Sequence, residues 1–171
     1  MLTGALAGPR MRDDLDSRDL MILGILQRDA RRSLEEIATE IDLTKTPVAL
    51  RIKKMERDGI IERYVAKLND QALGLVETAF IFVMLRDHES KSVADFIRTS
   101  KRIPHILDCY QLTGEFDFLL KLKVGSIAEF ERLLASKSFS RLRALGRFST
   151  SFALRCIKED GALPLPLPKK S

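Results

Sequence analysis

The sequence predicts an α+β chain in two parts: an N-terminal helix-turn-helix domain of winged-helix type, then a ferredoxin-like βαββαβ domain. Two observations carry this. Between Ser33 and Gly59 two short helical patterns abut across a turn of about three residues, the spacing of a helix-turn-helix. From Thr78 onward dense β-type runs appear, separated by two further helical patterns.

Residues 1–12 carry Gly, Pro and little periodicity and are expected to form a mobile arm. The helix-turn-helix domain then spans 13–60. Asp16 caps its first helix, Asp19 sits favourably in the first turn, and Leu20, Ile22, Leu23, Ile25 and Leu26 supply a broad apolar face. Ser33 opens the second helix with Glu36 three residues on, an offset at which each side chain satisfies the other's backbone donor. The turn at Ile41-Asp42-Leu43 requires a residue tolerant of positive φ, which Asp42 is. Thr44 caps the third helix, Pro47 falls in its first turn, and Val48, Ile52 and Met55 form one apolar stripe. Gly59 stops it.

Charge is distributed unevenly over these helices. From Lys45 to Arg57 there are five Lys/Arg against one Glu, net +4, whereas Met1 to Thr44 has six against nine, net −3. A basic helix face taken alone is ordinarily just solvated. With the caps and the tight turn, however, it implies double-stranded DNA as partner. Lys45, Thr46, Pro47, Leu50 and Arg51 are expected to face base edges, and Lys54 and Arg57 to meet phosphates.

Residues 61–75 read as a strand and linker, since 60–68 is extended and partly alternating and Asn69-Asp70 and Gly74 punctuate its end. The second domain, 76–159, places strands at 78–85, 106–112, 116–124 and 149–158. Helical patterns fall on Val93, Phe96 and Ile97 and on Ile127, Phe130, Leu133 and Leu134. Thr113-Gly114-Glu115 reads as a hairpin turn. The tail, 160–171, alternates leucine and proline and is expected to be extended and weakly ordered.

Composition narrows the function classes. With 45% hydrophobic and 31% charged residues the chain can form a core, and a net charge of +5 permits a polyanionic partner without requiring one. Cys109 and Cys156 lack CxxC spacing and sit in apolar runs, so buried reduced thiols in the cytoplasm are expected. No run reaches the ~18 apolar residues of a membrane span, and no signal peptide is read. No Ser-His-Asp order, phosphate-binding glycine loop or metal-ligand spacing occurs, so no catalytic residue, metal or cofactor is assigned.

Four stretches stand in register over 13–159: Leu15-Asp16-Ser17-Arg18-Asp19; Thr44-Lys45-Thr46-Pro47 leading to Arg51-Ile52; Asp58-Gly59-Ile60-Ile61; and Thr113-Gly114-Glu115-Phe116-Asp117-Phe118. In these the chain resembles the leucine-responsive/AsnC (feast/famine) family of transcription regulators. The resemblance implies a homodimer built through the C-terminal domains, often a tetramer or octamer. It also implies an amino acid or related small molecule bound at subunit contacts and altering assembly or DNA binding. The matching pocket residues are Gly114, Glu115 and Asp117 in the hairpin loop and Thr150, Ser151 and Phe152 near the last strand. Gly114 admits close backbone approach to a carboxylate, Glu115 and Asp117 can accept from an α-ammonium, and Thr150 and Ser151 offer hydroxyls. A plain hairpin turn is the alternative reading of Gly114 and Asp117.

The chain departs from the family pattern at Asp42, where a glycine is usual, and at 136–143, which is basic; a solvated loop is expected there, with contact of Lys137, Arg141, Arg143 and Arg147 to wrapped DNA as the alternative. Two rivals use the same scaffold. A tetrapyrrole (siroheme) decarboxylase-like enzyme would draw on His88 and His105, and a ligand-sensing assembly protein would not bind DNA.

Overall fold

The computed structural model describes residues 14–143, 146–159 and 161–166; the arm expected at 1–12 lies outside them. Two compact units emerge. One is the chain up to Ala66 together with the segment from Lys158 onward, and the other is Lys67–Ile157.

The first unit holds α1 (Ser17–Leu26), α2 (Leu34–Glu40) and α3 (Lys45–Arg57). Both expected capping boxes form. Asp16 accepts from the Asp19 N–H while Asp19 accepts from that of Asp16, and Ser33 and Glu36 do likewise at α2. Thr44 stands at the N-cap of α3 but makes no side-chain capping bond. Helix α2 ends with Asp42 at φ 54°, the one non-glycine residue of positive φ among the described residues. There the Leu43 N–H reaches the Ala38 carbonyl (2.9 Å). Helix α3 stops by the same device at Gly59, φ 71°, with the Ile60 N–H on the Met55 carbonyl (2.8 Å). Ile22, Ile37, Ile41, Val48 and Met55 are buried between the three helices.

Beyond α3 the expected strand does not form, because residues 62–69 find no ladder partner among the described residues; alternation alone supplies none. Tyr64 instead donates to the Glu56 carboxylate (2.9 Å). In the tail, the Leu163 N–H donates to Gln27 Oε1 (2.6 Å) at the end of α1.

The second unit is a four-stranded antiparallel sheet, order β2-β3-β1-β4. Its strands are β1 (Glu77–Leu85), β2 (Ile106–Gln111), β3 (Phe118–Val124) and β4 (Gly146–Phe152). Helices α4 (Ser90–Ser100), α5 (Ile127–Ala135) and α6 (Lys137–Arg143) complete it. Alternation puts Ala79, Ile81, Val83 and Leu85 of β1 and Phe118, Leu120, Leu122 and Val124 of β3 on one buried face, where Phe96 of α4 stacks on Phe118 (4.5 Å). Phe130 of α5 meets Phe152, and Phe139 of α6 meets Phe148, on the same side.

Three expectations are corrected here. The stretch 136–143 is not a solvated loop, because Phe139 and Leu142, three apart, are both fully buried and turn 137–143 into a helix. Strand β4 runs from Gly146 to Phe152, not over 149–158, because β1 is its ladder partner: Gly146 faces Leu85, Phe152 faces Ala79, and Thr78 takes the Ala153 N–H. Cys156 therefore lies beyond the strand and Cys109 on the edge strand β2, so both free thiols are exposed rather than buried.

Candidate functional site

Helix α3 displays its residues by their distance from the buried stripe Val48–Ile52–Met55. Thr46, Leu50, Lys53 and Arg57, at intervals of four, three and four, fall on the opposite side, and all four are exposed, Leu50 at 64%. Lys54 and Lys45 flank this stripe and are exposed, whereas Pro47 is half-buried in the first turn. Lys53 escaped the residue-by-residue assignment, although the same spacing that marks Leu50 marks it.

Arg51 stands elsewhere. It lies three residues after Val48 and four before Met55, on the border of the buried stripe, and its side chain is 32% exposed. Nη1 donates to Asp16 Oδ2 (2.6 Å) and to Asp19 Oδ1 (2.8 Å). In the chain by itself the guanidinium of Arg51, expected at base edges, closes the capping box of α1, and Asp19, only 8% exposed, is its deeper partner. Burial alone would raise the Asp16 carboxyl, but the Asp19 N–H and the Arg51 guanidinium together hold it below the usual carboxylate range. Arg51 is raised further in turn, first by Asp19 and then by Asp16.

Two other cations of α3 have internal partners, Lys45 with Glu35 of α2 and Arg57 with Asp58 (3.1 Å). Lys53 and Lys54 make no ion pair among the described residues. Glu56, the only carboxylate of the helix, is occupied by Tyr64. The outward face of α3 thus offers a hydroxyl, an apolar side chain and cations.

In the second unit, the connection 112–117 between β2 and β3 is closed by the Leu112 N–H on the Asp117 carbonyl (2.8 Å). Gly114 adopts φ 113°, with open space where a side chain would start, and Glu115 is exposed. Asp117 already has partners within the chain: Oδ2 takes the Leu85 N–H (2.7 Å) and Oδ1 meets His88 Nε2 (2.8 Å). It clasps the hairpin to the end of β1. His105, the other histidine weighed for catalysis, stands 3.5 Å from Glu129.

Nor does the single chain bring the two groups of pocket residues together. Thr150, Ser151 and Phe152 face Ile81, Phe80 and Ala79, whereas the hairpin abuts Val83 and Leu85. They are separated by roughly 7–20 Å along β1 and by two strand spacings of about 4.8 Å across it. Thr150 and Ser151 point to opposite faces, and Phe152 packs on Phe130 (5.0 Å) and so belongs to the core margin.

With this geometry in place, comparison with known proteins assigns each unit. Residues 15–62 match the model of a winged helix-turn-helix DNA-binding domain and residues 78–163 that of the Lrp/AsnC ligand binding domain. A proline dehydrogenase transcriptional activator of Rhizobium radiobacter is 34% identical over 91% of this chain and 99% of its own length. The glutamate uptake regulatory protein of Zymomonas mobilis is 34% identical over 89% of this chain and 92% of its own. Among solved structures, a Neisseria meningitidis transcriptional regulator in complex with L-Met superposes with a TM-score of 0.82. It is 31% identical, covering 89% of this chain and 97% of that one. The chain, a capped three-helix unit with an outward basic helix followed by a four-stranded antiparallel sheet with helices on one face, belongs to the Lrp/AsnC family of DNA-binding transcriptional regulators.

Proposed function

We propose that α3 lies in the major groove with Thr46, Leu50 and Lys53 toward base edges and Lys45, Lys54 and Arg57 toward phosphates. Pro47 shapes the entry turn and Arg51 holds the helix in place. The single observation that supports this most is the exposed stripe Thr46–Leu50–Lys53–Arg57, which carries no carboxylate. An exposed leucine between a hydroxyl and a lysine suits contact with a thymine methyl group, and the flanking cations suit the phosphate backbone.

The effector is an amino acid, bound where Gly114 and Glu115 of one copy meet Thr150 or Ser151 of another. Two points support this. The groups lie too far apart within one chain for a small ligand to span, and the sheet face opposite the helices carries half-buried Phe80, Phe82 and Leu119 and exposed Tyr110. The relatives are named for proline dehydrogenase and glutamate uptake, and the structural neighbour was solved with L-Met. The chain therefore works as a homodimer or a tetramer or octamer of such dimers.

The experiment is selection of bound duplexes from a random pool, then affinity measurement with each amino acid in turn. Leu50→Ala should relax preference at one base pair by about 1 kcal/mol. Lys54→Ala should weaken all sequences alike and reduce the salt slope by about 0.9. If both variants select and bind as the parent does, α3 is not the reading helix. An unchanged amino-acid response in Glu115→Gln would remove the loop from the effector site.

A further inference from the structure

The chain passes between its two units twice, because the first unit takes in the segment from Lys158 onward as well as the residues up to Ala66. Both passages are anchored at each end. At the first, the Ile61 N–H is still bonded to the Met55 carbonyl (3.1 Å), and Asn69 already caps the next turn through the Ala72 N–H (3.0 Å). At the second, the Ala153 N–H is held by Thr78 of the sheet (2.9 Å), and Leu163 is held by Gln27 of the first unit. Between these anchors residues 62–68 and 154–159 are exposed throughout. The spans, Ile61 to Asn69 and Ala153 to Leu163, reach at most about 29 and about 36 Å when fully extended.

The catch at Leu163 follows from the alternation of leucine with proline in 163–168. Proline has no N–H, so Leu163 and Leu165 supply the only main-chain donors of 163–166. The Leu165 N–H is spent on the Leu163 carbonyl (2.8 Å), closing a three-residue turn about Pro164. That leaves the Leu163 N–H, which donates to Gln27 Oε1 (2.6 Å), while Gln27 Nε2 donates back to the Leu163 carbonyl (3.5 Å). One side-chain amide thus grips the donor and the acceptor of a single residue, as a neighbouring strand would. The grip ignores the Leu163 side chain, which is 72% exposed. Gln27 is itself fixed at the C-cap of α1, where its N–H meets the Leu23 and Ile25 carbonyls. The prolines reduce the entropy lost when the segment is ordered, so a pair of exposed hydrogen bonds holds it.

We infer that Gln27 is a positioning residue: it closes the tail into a strap that ties the first unit a second time. A unit on two short spans presents α3 over a narrower range than a unit on one. The strap therefore sets which spacings between two half-sites a homodimer accepts. It adds no contact with DNA; it penalises the presentations that would stretch either span, and so lowers the effective concentration of the second reading helix at unsuitable spacings. This inference rests on the proposed reading of α3 and of the homodimer, and the experiment keeps them apart.

Gln27→Ala removes the catch from α1, and Leu163→Pro removes the donor from the tail. Affinity is measured for one half-site and for duplexes carrying two, their centres about 10 to 20 base pairs apart in single steps. Amide exchange at Leu163 reads the catch directly. In the parent it should be about fivefold slower than in a free peptide of the tail, and in Gln27→Ala it should equal the peptide's. Both variants should bind one half-site as the parent does, while the spread of affinities across spacings narrows about fivefold, the worth of one net hydrogen bond. The double variant should narrow it no further. Peptide-like exchange in the parent, a parent indifferent to spacing, or an unchanged spread in either variant overturns the inference. Mixing Gln27→Ala chains with Leu163→Pro chains identifies whose α1 holds the tail. Protection of Leu163 restored in the mixture means that the tail is held by another copy, which also overturns the strap. Lys54→Ala is the separate control: if it leaves binding of one half-site untouched, the reading of α3 fails, while Leu163 exchange and the spread across spacings still decide the strap.

Discussion

Replacing Arg51 by methionine separates two roles that an arginine on a recognition helix can have. In this structure its guanidinium bridges Asp16 and Asp19 at 2.6 and 2.8 Å. Removing one partner of a buried ion pair costs about 3–5 kcal/mol, because a charge is left without compensation. Asp19 approaches that limit at 8% exposure, but Arg51 at 32% already shares its charge with water, and the Asp16 arm, 52% exposed, adds at most about 1 kcal/mol. Arg51→Met should therefore destabilise the first unit by about 2–3 kcal/mol, with Asp19 still accepting from the Asp16 N–H.

The assay is amide hydrogen exchange in α1 and α3, which reports the opening of this unit separately from the second. It is paired with binding to an operator in which each base pair is replaced in turn. A positioning arginine loses stability and weakens every operator in proportion, keeping their order. Asp19→Asn should share the loss, and the double variant should show a coupling of about 1–2 kcal/mol. The reasoning is refuted if Arg51→Met opens no faster than the parent and discrimination at one base pair drops by about 1–3 kcal/mol, the signature of a bidentate base contact.

Further outcomes follow from the same contacts. The Asp16 carboxyl is held below its ordinary 3.8, so its contribution is complete above that pH and is lost as pH falls through the lowered folded value. Acid unfolding of α1 should accordingly begin at higher pH in Arg51→Met than in the parent. Burial, then the Glu56 carboxylate, pushes the Tyr64 phenol up to about 12. The neutral form's stabilisation is present below the ordinary 10 and lost as pH rises through 12. Tyrosinate absorbance in a Tyr110→Phe background should titrate near 12 and shift downward after Glu56→Gln. Phe139→Ala should cost the second unit about 3–5 kcal/mol by denaturant titration, and a cost below about 1 would mean that α6 does not seal the sheet. Asp117→Ala should cost about 1–3 kcal/mol by leaving the Leu85 N–H unpaired, and should do so with or without amino acids present.

The local grammar of the first unit was legible in its residues. Ser33 with Glu36, Asp16 with Asp19, and the stops at Asp42 and Gly59 are short-range devices whose geometry depends on spacing alone. The order of strands and helices in the second unit was legible for the same reason. What a single pass along the chain does not give is the partner of each element. The limits of β4 are those of β1, and the alternating stretch after α3 has nothing to pair with in one chain. In 137–143, two apolar residues among cations and serines carry too weak a period to read as a helix until a sheet is beneath them. The pocket residues were transferred by likeness of sequence, and only register along β1 shows them to be on different stretches of the sheet.

The charge of α3 is only partly legible for a related reason. A net +4 over 45–57 counts every cation as if it were offered to DNA. Arg51 is committed to the carboxylates of α1, Lys45 faces Glu35, and Arg57 faces its neighbour Asp58. The exposed pairs at Lys45 and Arg57 are weak enough to be exchanged for phosphates, but each exchange frees a carboxylate close to the backbone and so returns part of the gain as repulsion. Lys53 and Lys54 carry no such counterweight among the described residues. Neutralising either should therefore lower the salt slope on a short duplex by close to 0.9, whereas Lys45→Ala should lower it by less and Arg51→Met should leave it unchanged. Equal slopes lost at all four positions would mean that the internal pairs dissolve on binding and that segment charge, not pairing, governs the interaction.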